Sequence, residues 1–345
     1  MRAIALIPGD GIGPEVTRAA RDVVAASGAA VRFEEVVAGL RAEREFGTPL
    51  PGAVFEAIAR TKLALKGPTQ TPFGGAYRVN VERGGGRRDY PSITIALRKE
   101  LDLFVNVRPV KNYPGVASRF ERVDLVIFRE NSEDLYLGRE RMVDEGTAEA
   151  VKIITARATA RATRFALDYM RREGRRRLTI GHKANVLKMT DGLFLKTAQD
   201  IARDSGFAVD QRVVDALCME LVMRPEAFDC LLLPNLYGDI ISDLGAGLVG
   251  GLGVAPGANI GTECAMFEAV HGSAPDIAGK DIANPMAAIL SAGMLLRYIG
   301  DASAADRIET ALTAVLREQR AVTRDLGGTA GTRAMTDAII EKLTA

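Results

Sequence analysis

Short apolar runs alternate with amphipathic stretches along almost the whole of this chain, and that alternation leaves little choice of fold. Residues 3–7, 31–37 and 62–66 read as strands, and 14–26 and 53–59 as the helices between them. Elements in this order bury their apolar faces by layering helices on a sheet, which makes an α/β protein. A helix restarts after Ser92, whose hydroxyl suits an N-cap, and runs to about residue 101. Strands follow at 103–107 and 124–128, with a further one at 151–155. Next come helix 156–172, strand 178–181, helix 187–204 and strand 208–214. Strand 230–233 runs into a helix from Asn235 to 253. A strand at 264–270 and helices at 285–299, 304–317 and 331–343 close the series. The chain has 345 residues, too many for one ordinary core. No repeat or long linker divides it, so its lobes are expected to be discontinuous in sequence.

Bulk properties exclude several classes. A formal charge of +1 gives no overall drive toward nucleic acid or membrane. No apolar run approaches a membrane span, and the first residues lack the pattern of a signal peptide. The 3 cysteines have no CxxC spacing and read as reduced residues of a cytoplasmic protein. With 2 histidines, a His-rich zinc site is excluded, and no GxSxG elbow accompanies either of them.

The turn Gly9-Asp10-Gly11-Ile12-Gly13-Pro14 after the first strand invites a Rossmann reading, but its spacing is wrong. The dinucleotide fingerprint is G-x-G-x-x-G, and here the third glycine comes one residue early and is followed by proline. Proline in the first turn is ordinary helix-start chemistry.

Charged residues collect where apolar runs end. Arg108 closes Phe104-Val105-Asn106-Val107, and Arg129 closes Leu125-Val126-Ile127-Phe128. Arg98 lies in the restarted helix. A charge at the end of a buried strand is costly unless paired, so these arginines are either structural ion pairs or a clamp for carboxylates, which a guanidinium matches as a two-pronged donor. Asp239 and Asp243 stand one turn apart on the helix after strand 230–233, a placement that suits Mg²⁺ or simply a solvated helix start. Asp215, read as ending strand 208–214, is a further oxygen donor. Lys183 follows strand 178–181, where partial burial would suit it to general-base work and an ion pair would make it structural. Tyr136 borders a polar loop. Residues 268–285 combine a histidine ring, small residues, a carboxylate and an amide, which suit adenine and ribose or an ordinary turn.

Taken together these segments resemble the isocitrate/isopropylmalate dehydrogenase family. The match includes Gly9–Glu15, Leu97-Arg98-Lys99, Asn106–Pro109, Arg129–Tyr136, His182–Asn185, Asn235–Asp243 and His271–Asn284. The resemblance implies two α/β lobes around a central cleft, one from 1–102 with 253–345 and the other from 103–252, and a homodimer with shared active sites. It implies that Arg98, Arg108 and Arg129 hold the malate part of a hydroxy polycarboxylate. Asp239 and Asp243 would bind Mg²⁺ or Mn²⁺ with Asp215 of a second copy, whose Lys183 would help deprotonate the hydroxyl. Tyr136, made acidic by cationic neighbours, would protonate the enolate left by CO₂. His271, Gly272, Ser273, Ala274 and Asn284 would hold the adenosine part of the cofactor, and Asp276 with Ile277, where users of NADP carry Lys-Tyr, implies NAD.

The same resemblance makes Ser92 and Thr94 the readers of the malate C3 substituent. Isocitrate enzymes typically show Ser-x-Asn there, and homoisocitrate enzymes often place an arginine where Ile95 stands. Residues 79–91, with Arg83, Arg87 and Arg88, read as an insertion. They are expected to be either a mobile, solvated excursion or extra positive charge beside the C3 pocket, suited to a phosphonomethyl-malate. A non-catalytic regulatory subunit is the alternative of another class.

Overall fold

The computed structural model of the protein describes residues 1–72 and 77–344. Residues 73–75, in the Gly- and Pro-rich stretch 67–75 that reads as a loop in the sequence, lie outside the described residues. The chain opens with β1 (Arg2–Ile7), α1 (Gly13–Ala26), β2 (Val31–Glu35), α2 (Leu40–Phe46), α3 (Gly52–Thr61) and β3 (Leu63–Lys66). A hairpin of β4 (Val79–Arg83) and β5 (Gly86–Tyr90) leads to α4 (Ile93–Glu100), β6 (Val105–Lys111) and β7 (Asp124–Glu130). A second hairpin, β8 (Glu140–Asp144) and β9 (Thr147–Ala150), precedes α5 (Ala156–Glu173), β10 (Arg177–His182), α6 (Thr190–Ala202), β11 (Ala208–Val213), α7 (Val214–Met223), β12 (Cys230–Leu233) and α8 (Asn235–Val249). Then come β13 (Pro256–Ile260), β14 (Ala265–Ala269), α9 (Met286–Tyr298), α10 (Ala302–Glu318) and α11 (Thr332–Thr344).

Ten strands form one sheet in the order β11-β10-β12-β7-β6-β13-β14-β3-β1-β2. Most neighbours are parallel, and β6 runs antiparallel to both β7 and β13. The strands on one side of the β6–β13 seam come from residues 103–252, and those on the other from the two flanking segments. Across the seam Val107 pairs with Ala258, Asn106 with Asn259 and Val105 with Ile260. Strands buried on both faces, such as Cys-Leu-Leu-Leu of β12, read as continuous apolar runs, as parallel sheets require. The glycine turn after β1 is a structural clasp. Gly11 has φ +59°, and a Cβ there would lie 1.8 Å from the Ser273 carbonyl oxygen. Between the glycines, the buried Asp10 carboxylate accepts from Leu40 N at 2.7 Å and Gln70 N at 2.8 Å.

Three expectations need correction. Residues 79–90 are neither a loose excursion nor a loop: they form the β4–β5 hairpin, with Val79, Val81 and Tyr90 buried against α3 and α4. Residues 151–155 form no strand, because their backbone groups are spent one by one. Val151 N donates to Arg139 O at 2.9 Å, Ile153 O accepts from Asp134 N at 2.9 Å, and Thr155 N donates to the Glu133 carboxylate at 2.6 Å. Asp215 does not end a strand: β11 passes directly into α7, and Asp215 sits in its first turn.

Candidate active site

Strands β6 and β7, helices α4 and α8 and the one-turn helix Asp134–Leu137 bring six of the expected residues together. Strand β12 pairs with β7 so that Leu233 lies beside Arg129, and α8 starts immediately after Pro234. Gly238 lets the helix pass close, since a Cβ there would lie 2.6 Å from the Arg129 Cγ. Arg129, 1 % exposed, donates from Nε to Asn235 Oδ1 at 2.7 Å and pairs through Nη1 with Asp239. Its Nη2 is buried with no partner. Tyr136, on the one-turn helix Asp134–Leu137, donates its hydroxyl proton to Asp239, and the Arg129 guanidinium lies 4.7 Å from its ring centroid.

Arg108 reaches α8 from β6. Its Nη1 donates to Ser242 Oγ at 3.2 Å and lies 3.7 Å from Asp243, while Nη2 lies 3.9 Å from Asp239 and Nε donates to Asn106 Oδ1 at 2.6 Å. Arg98, in the last turn of α4, donates from Nε to Asn259 Oδ1 at 3.1 Å, and its Nη2 lies 3.6 Å from Glu268. Burial, then repulsion by Arg129, push the Arg98 guanidinium down to about 10, with Glu268 opposing. Three buried cations thus face Asp239 and Asp243, because Glu268 already has Lys66 at 2.7 Å. An excess of buried positive charge with an unused donor suits an anion.

The carboxylates differ. Burial pushes Asp239 up, but Arg129, Tyr136 and Arg108 overcome it, so the group sits below its ordinary range. Asp243 is pushed up by burial, only partly offset by Arg108, with its side chain 59 % exposed. Tyr136 departs from expectation: burial and its bond to Asp239 raise it above an ordinary phenol despite Arg129, so it holds its proton firmly at neutral pH. Lys183 and Asp215 meet each other at 2.7 Å but make no hydrogen bond or ion pair with this cluster. They lie beyond the ends of β10 and β11, on the far side of β12 from Arg129. Among the described residues no group of three or more His, Cys, Asp or Glu side chains is placed to hold a metal.

Ser92 caps α4, its Oγ accepting from Ile95 N at 3.2 Å, and Thr94 is half-buried in the first turn. The hairpin arginines are spent elsewhere. Arg83 donates to Glu100 O at 3.0 Å and lies over the Phe55 ring, Arg88 pairs with Glu100 at 2.8 Å, and Arg87 holds Asn80 and Asp89 within the hairpin.

The loop after β14 is anchored at several points. Ser273 O accepts from Ile12 N at 2.8 Å, and Glu15 of α1 accepts from Gly279 N. Ala274 takes φ +38°, and its carbonyl accepts from Ile277 N at 3.2 Å. Gly272 and Asp276 are exposed. Burial lowers His271, whose Nδ1 faces Gly272 O at 3.0 Å while Nε2 is buried without a partner. Asn284 donates to Asp325 at 2.8 Å and accepts from Met286 N at 2.9 Å. An anchored backbone with an unsatisfied ring nitrogen suits a base and its sugar.

Sequence reasoning missed the buried pair Lys66–Glu268, the supporting Ser242, and Asn259. The only available signal was Lys66 closing an apolar strand.

The family model described as isocitrate/isopropylmalate dehydrogenase matches residues 3–342. The isocitrate/homoisocitrate dehydrogenase of Thermus thermophilus is 48% identical over 348 residues, covering 99% of this chain and 98% of that protein. A mitochondrial regulatory subunit of the NAD isocitrate dehydrogenase of Dictyostelium discoideum is 41% identical over 346 residues, covering 100% of this chain and 92% of that one. The crystal structure of isocitrate dehydrogenase from Methylococcus capsulatus superposes with a TM-score of 0.94 at 45% identity, with 100% of both chains covered. The chain belongs to the isocitrate/isopropylmalate dehydrogenase family.

Proposed function

We propose that this protein converts isocitrate, a malate carrying a carboxymethyl group at C3, to 2-oxoglutarate and CO₂. It is an NAD-dependent oxidoreductase of the β-decarboxylating kind, and it uses Mg²⁺ or Mn²⁺. The observation that carries the substrate class is the convergence of Arg98, Arg108 and Arg129, all buried, around an Nη2 with no partner. A ligand with several carboxylates can use three such forks at once.

Asp239 and Asp243 fit a hard divalent cation: both are oxygen donors one turn apart, and Asp239 is held ionised. Bound there, the ion would supply Lewis acidity to the oxygens it holds. Every other role falls to side chains. The arginines fix the carboxylates, Tyr136 carries the proton for the carbon that loses CO₂, and Lys183 takes the hydroxyl proton. Residues 271–284 would hold NAD⁺, which would supply the hydride acceptor for C2. Asp276 favours NAD⁺ by hydrogen-bonding ribose hydroxyls and repelling a 2′-phosphate.

Lys183 and Asp215 serve the site of a second copy. Apolar Met219, Val222 and Met223 on α7, with Ile240 on α8, are all exposed on elements beside the site, and such a patch marks a covered face. The cleft divides the lobe of 1–102 with 253–345 from that of 103–252.

A phosphonomethyl-malate has less support, since Arg83 and Arg88 are bound to Glu100 rather than waiting for an anion. Homoisocitrate remains the nearer competitor. A regulatory subunit would not need the full set of arginines, aspartates and tyrosine present here. A Mg²⁺-dependent rise in NADH absorbance over a panel of 3-substituted malates tests the proposal. Highest kcat/KM on isocitrate is expected. A best substrate bearing a phosphonate, or no turnover at all, overturns it.

A further inference from the structure

The side chain of Asn259 is fully buried in β13, at the seam between the two halves of the sheet. Its amide oxygen accepts from Arg98 Nε at 3.1 Å, Asn106 Nδ2 at 3.0 Å and Asn131 Nδ2 at 3.1 Å. Its amide nitrogen donates to Glu268 Oε1 at 2.8 Å and faces Met266 O at 3.5 Å. Rotating the amide by half a turn would set its N–H groups against three donors, so the network fixes its orientation. Asn106 carries the constraint onward, because its oxygen holds Arg108 Nε at 2.6 Å.

We propose that Asn259 is a positioning residue that holds the Arg98 guanidinium off the Glu268 carboxylate and open to the substrate. The inference rests on the function proposed above. Glu268 Oε1 already lies 3.6 Å from Arg98 Nη2, and that oxygen is the one Asn259 occupies. Without the amide, Arg98 closes on Glu268 as a direct ion pair, and one fork of the clamp is lost to the ligand. Asn259 also reaches the base of the cofactor loop, since Glu268 stands three residues before His271. The substrate arginines and the cofactor loop therefore share one buried amide.

The test is steady-state kinetics of the full chain with Mg²⁺, NAD⁺ and isocitrate for Asn259→Leu, Arg98→Gln and their combination. N259L is expected to raise the isocitrate KM about 10- to 100-fold, the effect of losing a charge-assisted hydrogen bond. The KM for NAD⁺ and kcat should stay within about threefold. The double variant should resemble R98Q alone, because the two changes remove the same interaction. Thermal melting checks folding. Should N259L not fold, Asn259→Ser, a smaller polar side chain whose hydroxyl falls short of Arg98 Nε, should also raise the isocitrate KM, again without effect in the R98Q background. An unchanged isocitrate KM in the folded variant, a fall confined to kcat, or additive effects in the double variant overturn the inference. A wild type that turns over none of the 3-substituted malates overturns the proposed function and this inference with it, whereas an active wild type with an indifferent Asn259 overturns this inference alone.

Discussion

Replacing Lys66 by methionine should expose how much of the fold depends on one buried ion pair. Lys66 Nζ and Glu268 Oε2 are 2.7 Å apart with side chains 1 % and 11 % exposed. Burial by itself would raise the Glu268 carboxyl. Lys66 and then Arg98 more than cancel that and hold it at about 2, against 4.5 for a free glutamate. The folded value is depressed, so the carboxylate contributes stability above pH 4.5, which is lost as the pH falls toward 2. A shift of that size corresponds to about 3 kcal/mol at neutral pH. Methionine fills a similar volume, leaves the carboxylate without its nearest cation, and should cost about 3–5 kcal/mol. The assay is urea unfolding of wild type and K66M at pH 7 and pH 4. The gap should narrow at pH 4, where Glu268 of K66M can take a proton and wild-type Glu268 remains ionised. Adding Glu268→Gln to K66M should recover much of the loss, because no buried charge is then stranded. A K66M midpoint equal to wild type, or a gap identical at both pH values, would refute the reasoning.

Tyr136→Phe removes the proton for the carbon left after CO₂ departs and should lower the rate of 2-oxoglutarate formation from isocitrate about 10²- to 10⁴-fold; retention of most of the rate would exclude the proton-donor role. Asp243→Asn should raise the Mg²⁺ concentration needed for half-maximal NADH formation while leaving the NAD⁺ KM unchanged; an unshifted Mg²⁺ curve would remove Asp243 from the metal site. Asp276→Lys combined with Ile277→Tyr should move the ratio of kcat/KM values toward NADP⁺, and steady-state kinetics with both cofactors decides it. Arg83→Ala with Arg88→Ala removes the arginine partners of Glu100, whose side chain is 4 % exposed, and should cost about 1–3 kcal/mol of stability, with isocitrate turnover intact; a specific loss on isocitrate would return the hairpin to the substrate pocket.

Several strands of the sheet were legible because strands buried on both faces read as apolar runs, as in β12 and residues 125–128 of β7. Strand β13 was not, since Pro-Gly-Ala-Asn-Ile has almost no β-branched or aromatic content. The β4–β5 hairpin did carry a signal: Val79 and Val81 alternate with Asn80 and Glu82 ahead of a glycine turn. Its arginines drew the reading toward a loose loop, although their aliphatic stems and ion pairs suit an exposed edge. Arginines at strand ends could be foreseen because charge there demands a partner. Asn259 could not, since its partners Asn106, Asn131 and Arg98 stand 128 to 161 residues away in sequence. The phenol of Tyr136 was misjudged because desolvation outweighs nearby cations, a balance that depends on depth of burial.

Arg98 belongs to a helix on one side of the β6–β13 seam, whereas Arg108 and Arg129 stand on strands of the other. A ligand gripped by all three works as a crossbar over the joint, fastening from above two halves whose strands pair over a short run below. Loading the cleft should therefore stiffen the molecule as a whole, and amides along that joint should be the ones whose hydrogen exchange slows most.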